Sequence, residues 1–343
     1  MRFEYYHAGL DGVPKLSVDG TVSNSIHFSH WQGNKTPAQV KADTSTEIAL
    51  NLVVSPDRLE LTQGIELVTN NHFDTDGVLS VWTMLTGERA QELRGQLIAA
   101  AEAGDFCEYR NDDAVRASIT IQGPNQPSPN EDAGSPLARH LAGEDVTDEA
   151  RAYALVLPEV ERVLTRTSDY EHLWRDAWGR LETAIESFER GKSEVKEHAD
   201  VRLSFISLAP DAFGPRGFDP ARHAMPCTAI SRYARGQLYL ITTPMNAGWS
   251  YRIDYPYYSW AETLVRPRIE RLDFASLVER LNALEASTHG RWKPDASELA
   301  SAVKFVDQSG MLCASSLAPE IVAEEMRASL SAAEPHLAGA SRG

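Results

Sequence analysis

No hydrophobic run in this sequence approaches the ~20 apolar residues that a membrane-spanning helix needs, which excludes a helical membrane anchor. Cysteine is scarce. Cys107, Cys227 and Cys313 stand far apart, and their odd number argues against a disulfide framework. No CxxC pair exists, so a zinc ribbon is excluded, and each cysteine is expected as a small buried apolar residue. Positive charge is also short, with 33 Lys and Arg against 49 Asp and Glu, a net charge of −16. Phosphate contacts supply most non-specific nucleic-acid affinity, so no general nucleic-acid binding is expected, although a local basic pocket remains open. The first residues, MRFEYYHAGLDG, lack the apolar centre of a signal peptide. The expectation is a cytoplasmic protein with no membrane segment. No internal repeat of fixed period is present.

What the chain does have is enough apolar material for substantial cores, 42% of 343 residues, and a length that suits about two domains. Its most informative stretch is Asn70-Asn71-His72-Phe73-Asp74-Thr75-Asp76-Gly77. The run before it (Ile65, Leu67, Val68) has the length and β-branched content of a buried strand. The run after it (Val78, Leu79, Val81, Trp82, Met84, Leu85) suits a helix over 77–103, broken near Gly87 and ending at Gly104. A histidine and two aspartates spaced by two residues therefore sit at a strand-to-helix turn, where open α/β sheets place their sites.

The rest organises around this turn. Ser25-Ile26-His27-Phe28-Ser29-His30 alternates like a strand, with His30 on the face opposite His27. Thr44 or Ser45 can cap a short helix. Ala117–Ile121 reads as a short strand, and the prolines of 123–130 mark a loop. A helical stretch follows over about 148–191. Strands are expected at 201–208, 228–233, 237–243 and 250–255, with a hairpin at Ala234-Arg235-Gly236. Helices are expected at 274–286, 296–306 and 318–333. The fold class is α/β: a parallel-sheet domain at 1–147, a helical linker at 148–192, a smaller α+β domain at 193–334 and a flexible tail at 335–343.

Hard divalent cations are held by carboxylates, and Mn²⁺ and Fe²⁺ also accept imidazole. On an extended turn, His72, Asp74 and Asp76 can face the same way. Gly77 is expected to let the backbone turn sharply into the helix. The segment HFDTDG resembles the first motif of the DHH phosphoesterase superfamily, over about Leu67 to Trp82. That superfamily includes exonucleases, oligoribonucleases, exopolyphosphatases and manganese pyrophosphatases. The resemblance implies a parallel-sheet domain that binds Mn²⁺ (or Mg²⁺ or Fe²⁺) and a smaller domain that closes on substrate. It implies metal ligation and catalysis by His72, Asp74 and Asp76, and it makes Asp105 the candidate for the family's lone second-motif aspartate. The Asp-His-His segment that names the superfamily is absent.

His30 is a candidate extra metal ligand. After it, Asn34, Lys35 and Thr36 put an amide, a cation and a hydroxyl behind Gly33, the tools for cradling a phosphate or carboxylate. In the C-terminal part, Arg232, Arg252, Arg266, Arg268, His289 and Arg291 concentrate cations among aromatics. His289-Gly290-Arg291 is similar to the substrate segment of DHH C-terminal domains. Arg forks bind phosphates bidentately, so these residues are candidates for a small anionic, phosphorylated substrate; the rival reading pairs them with the surplus carboxylates.

The expected function is therefore hydrolysis of a phosphoester or phosphoanhydride by metal-activated water, by a monomer or a homodimer. The alternatives are a metalloenzyme of different, non-phosphate chemistry and a non-catalytic binder of a small ligand.

Overall fold

The structure, a computed structural model, describes residues 1–129, 131, 134–296 and 299–340, without the side chains of 333–340. It has a parallel sheet near the N-terminus, helices in the middle and a mixed sheet in the C-terminal part. The chain forms two compact units. One takes Met1–Pro127, Glu131–Trp178 and Trp260–Arg268; the other takes Ser128–Asn130, Gly179–Ser259 and Ile269–Gly343. Residues 148–178 of the expected linker thus belong to the first unit.

The first unit begins with β1 (Arg2–Phe3), β2 (Leu16–Val18) and β3 (Ile26–Phe28). Then come α1 (Ser45–Val53), α2 (Arg58–Thr62), β4 (Leu67–Thr69) and α3 (Thr75–Thr86). Among the described residues its sheet has the order β1-β4-β2-β3, with every pairing parallel. Leu16, Val18, Leu67 and Val68 are all buried, as suits strands covered on both faces. The helices start where their caps are. Thr44 accepts a bond from the Glu47 amide at 3.2 Å, and Asp74 accepts one from the Gly77 amide at 2.7 Å. Gly87, at φ +70°, ends α3; a 3-10 stretch over Gly87–Leu93 leads into α4 (Arg94–Phe106), as the sequence led us to expect.

Residues 117–121, expected as a strand, lie inside α5 (Asp112–Gln122). Asn111 caps it by accepting the Ala114 amide at 2.9 Å, and Asp112 and Asp113 favour the positive end of the helix dipole. Ala114, Val115, Ala117, Ser118, Ile119 and Ile121 are all buried, so no wide polar face displays the helical period. The unit continues through α6 (Pro136–Ala142), α7 (Glu149–Val156), α8 (Val160–Thr165) and the first residues of α9 (Glu171–Glu189).

The second unit has β5 (Glu194–His198), β6 (Leu203–Ser207), α10 (Cys227–Tyr233), β7 (Leu238–Met245) and β8 (Gly248–Asp254). It continues with α11 (Ala275–Leu284), β9 (Arg291–Pro294), β10 (Ser301–Val306) and α12 (Pro319–Ala340). Its sheet runs β5-β6-β7-β8-β10-β9, antiparallel except for β6 against β7. Leu203, Leu240, Tyr251, Ile253, Trp292, Val303 and Phe305 build its core with Leu281, Val322 and Met326 of the covering helices.

Three expectations change here. Residues 228–233 form helix α10 rather than a strand. The hairpin accordingly lies between β7 and β8, and Gly236 instead sits so tight against β6 that a Cβ would come 2.5 Å from the Ser204 amide. Residues 301–306 form β10 where a helix over 296–306 was expected; Ser297 and Glu298 of that stretch lie outside the described residues. Val303 and Phe305 point to the core and alternate with Lys304, and pairing on both sides fixes the strand. β5 had no sequence expectation because it is a charged edge strand, Glu194-Val195-Lys196-Glu197-His198, of the kind that discourages edge pairing. The last helix runs to Ala340, and 341–343 of the tail expected from 335 lie outside the described residues. Among the described residues no helix is long and apolar enough to cross a membrane.

Asn111→Ala is expected to cost about 1 kcal/mol through loss of the α5 cap. Urea unfolding measures it, and an unchanged midpoint would contradict the cap.

Candidate metal centre

The site lies beyond the carboxyl ends of three neighbouring strands of the parallel sheet. β2 delivers Asp19, β3 delivers His30 and β4 delivers the turn carrying His72, Asp74 and Asp76. Asp105, one residue before the end of α4, completes it; it ends a helix rather than the strand its family role would imply. The structure brings together all five expected ligands and adds Asp19.

Asp19 has φ +48°, a left-handed conformation that costs an aspartate about 1 kcal/mol and is held here by its surroundings. Its two oxygens face different ways. Oδ1 lies 3.4 Å from His30 Nε2, and Oδ2 lies 3.1 Å from His72 Nε2. Ser45 Oγ and Trp31 Nε1 donate to Oδ1 at 2.9 and 3.3 Å. The sequence displays Asp19 only as Asp19-Gly20, which reads as an ordinary turn. The short apolar run Leu16-Ser17-Val18 before it is the signal that would have found it.

His30 is fully buried. Its Nδ1 donates to the Asp43 carbonyl at 2.7 Å, so in the neutral ring the Nε2 lone pair points at carboxylates. Nε2 is 3.1 Å from Asp105 Oδ2 and 3.7 Å from Asp76 Oδ2. Yet His30 Nε2 and Asp105 Oδ2 are both buried without an aligned hydrogen bond. A cation between them would satisfy both. His72 repeats the design nearer the surface. Its Nδ1 faces Asn71 Oδ1 at 3.2 Å, and its Nε2 faces Asp19 and Asp74, each at 3.1 Å.

Asp76 is anchored by the start of α1. The amides of Ser45 and Thr46 donate to its two oxygens, each at 2.7 Å, and the helix dipole favours the negative charge there. Gly77 is needed for space rather than for its torsion. A Cβ there would come 2.6 Å from Asn70 Nδ2 and 2.7 Å from Tyr153 Oη, and Tyr153 holds the turn by donating to the His72 carbonyl at 3.0 Å.

Charge crowding sets the protonation of the ligand groups. Burial pushes the Asp76 carboxyl up, and the Asp19 charge adds to this, to about 7. Burial and the charges of Asp74 and Asp76 raise Asp105 well above the usual carboxylate range. Burial works against the His72 imidazolium, but Asp74 and Asp19 outweigh it and push it up to about 12. His30 is likewise held well above its ordinary value, against burial, by Asp105 and Asp19. Burial would raise Asp19, but the two imidazoles hold it low.

The ligand atoms fall into two groups that share Asp19: Asp19, His30, Asp76 and Asp105, and Asp19, His72 and Asp74. Within each group they lie within 4.8 Å of one another. Donors on opposite sides of an ion bound at about 2.1 Å are about 4.2 Å apart, so each group has the spread that one ion needs.

The other expected residues have different roles. Gly33 N and Asn34 Nδ2 donate to the Glu262 carboxylate at 3.0 and 2.8 Å, so the loop does hold an anion, but one from its own chain. Thr36 Oγ1 donates to the Ser29 carbonyl at 2.7 Å, and Lys35 and Arg268 are exposed. Arg232, Arg252, His289 and Arg291 belong to the second unit. Arg252 is buried and pairs with Asp254 at 2.8 Å, Arg232 lies 3.6 Å from Glu189, and His289 and Arg291 are exposed. For Arg252 and Arg232 carboxylate pairing, the rival reading, is what the structure contains.

Fold and site together define an α/β protein whose parallel sheet and α4 gather four aspartates and two histidines, a donor set suited to divalent metal. The chain belongs to DUF6687, a family of unknown function whose model matches residues 3–337. No curated protein and no solved structure matches it.

Metal must displace the protons that the crowded groups hold. Mn²⁺ binding to chelator-treated protein is therefore expected to release protons and to tighten as pH rises from about 6 to 8. Without metal the sign reverses. A carboxyl raised from 3.8 to about 7 in the folded state makes the fold lose stability as pH rises through that window. Calorimetry in buffers of different ionisation enthalpy measures the release; a pH-independent affinity would contradict the site.

Proposed function

We propose that the protein is a metal-dependent hydrolase whose two donor groups, which share Asp19, would hold two divalent ions, Mn²⁺ or a similar metal. The observation that carries this reading is the division of the Asp19 oxygens, Oδ1 toward His30 and Oδ2 toward His72. Charge supports it. Four carboxylates carry four negative charges, which two divalent ions balance while both imidazoles stay neutral. The mixed oxygen and imidazole donors suit Mn²⁺ or Fe²⁺, with Mg²⁺ served less well by the nitrogens.

Ions held by these residues would supply an activated water and neutralise charge on a phosphoryl oxygen. The protein's own part is to fix the donors. Asp43 sets the His30 tautomer, the α1 amides hold Asp76, and Ser45 and Trp31 hold Asp19. His72 and Asp74, a quarter to a third exposed, form the open side from which a substrate reaches the centre. The resemblance of HFDTDG to the first DHH motif supports a phosphoester or phosphoanhydride in a small anionic substrate.

Purified wild type is expected to carry two equivalents of transition metal and, with Mn²⁺, to hydrolyse at least one of bis(p-nitrophenyl) phosphate, pyrophosphate and a dinucleotide. Asp19→Asn is expected to reduce that rate by more than about a hundredfold, beyond the usual ~10–100-fold cost of an outer-shell change. Metal without turnover on any of the three would sink the hydrolase reading; absence of bound metal would sink the centre itself.

A further inference from the structure

Arg266 lies on a nine-residue segment, Trp260–Arg268, that belongs to the first unit although its neighbours on both sides in sequence belong to the second. The segment is bound tightly to the metal-side elements. The Glu262 amide donates to the His30 carbonyl at 2.7 Å. The amides of Leu264, Val265 and Arg266 all donate to the Asp43 carboxylate, the last two at 2.9 and 3.1 Å. The Trp260 ring stands edge-on to the His30 ring at 5.0 Å.

The Arg266 side chain, 11% exposed, engages three carboxylates. Nη1 donates to Asp43 at 2.7 Å, Nη2 to Glu102 at 2.7 Å, and Nε and Nη2 to Glu108 at 2.6 and 2.8 Å. Its guanidinium lies over the Phe106 ring at 4.8 Å. Each of these partners adjoins a candidate ligand. Asp43 supplies the carbonyl that fixes His30, and Glu102, Phe106 and Glu108 bracket Asp105 at the end of α4.

We infer that Arg266 is a positioning residue for one of the two ions, the one held by Asp19, His30, Asp76 and Asp105, and not for the ion at His72 and Asp74. The inference rests on the two-ion reading above. A planar fork is suited to this task, because it joins the His30 support to the Asp105 support in one rigid piece. Losing it leaves Asp43 held by the amides of 264–266 and Glu102 by Arg110, but removes the side chain that ties the two supports of the inner ion together, while Asn71, Asp19 and Tyr153 still hold the outer one.

The test is Mn²⁺ titration of the full chain, wild type and Arg266→Gln, followed by electron paramagnetic resonance and metal analysis. Thermal unfolding of each loaded protein is measured alongside. The expected result is an inner ion weakened about 10–100-fold, the usual cost of an outer-shell change, with the outer ion altered by less than about threefold. At limiting Mn²⁺ the stoichiometry falls from two toward one. Asp43→Asn, which keeps the His30 carbonyl and the side-chain size but removes the charge that Arg266 meets, is expected to weaken the same ion. It keeps the question open to refutation should Arg266→Gln fail to fold. Equal weakening of both ions, or an inner ion unchanged in either folded variant, overturns the inference. A wild type that binds fewer than two ions overturns instead the reading on which it rests.

Discussion

Four carboxylates within reach of one another, three of them with buried side chains, cannot all stand as bare charges, because burying a charge costs several kcal/mol and like charges add to it. The first unit is arranged around meeting this constraint. The amides at the start of α1 take Asp76, Ser45 and Trp31 take one oxygen of Asp19, and the Gly77 amide takes Asp74. What these donors leave unmet is concentrated on a few atoms, chiefly Asp105 Oδ2 and His30 Nε2. Protons can fill that deficit, and so can divalent ions. Two imidazoles whose Nδ1 sides are already engaged, each aiming Nε2 at carboxylates, suit either filling: a proton on Nε2 or a cation beside it.

The backbone supports this economically. Strands of three residues are short, but parallel pairing aligns their carboxyl ends, and each end leads directly into a ligand-bearing turn. The same turns start the helices that hold the ligands. Asp74 is at once a cap for α3 and a ligand candidate, and the residues that open α1 serve Asp19 and Asp76. Secondary structure and site are therefore not separable in this region. A substitution that only unwound the start of α1 would also release two carboxylates.

How far the sequence disclosed this depends on whether a residue's local pattern agrees with its tertiary role. His72, Asp74 and Asp76 were legible because ligand spacing, strand and helix all occur within one stretch. His30 was legible from the alternation of Ser25–His30. Asp19 was not, since Asp19-Gly20 carries the signature of a plain turn and its left-handed backbone leaves no mark in sequence. The loop at Asn34 was read as a cradle for a substrate phosphate or carboxylate, and nothing local could tell that Gly33 and Asn34 would meet Glu262, over two hundred residues away, or that Thr36 would turn to the Ser29 carbonyl. The errors at 117–121 and 301–306 share a cause: short segments buried along most of their length, where periodicity is weakest and capping or pairing decides. The segment 228–233 is only about two turns long and buries just Ala229 and Ile230 of its six residues, too little for a period to show.

The absence of an Asp-His-His segment takes on a different meaning beside this geometry. A linear motif search looks downstream of the HFDTDG turn for its partners. In a parallel sheet, however, adjacency in space follows strand order, and here β4 lies between β1 and β2, with β3 beyond. The neighbours of the turn are thus the ends of strands that precede it in the chain. Just past two of the strands that precede the turn, β2 and β3, stand a carboxylate and an imidazole, Asp19 and His30, eleven residues apart in the chain. A donor set can be gathered in three dimensions although its members lie on different strands and a linear reading passes over one of them, Asp19, provided that those strands are paired. The parallel pairings of β2 with β3 and with β4 meet that condition.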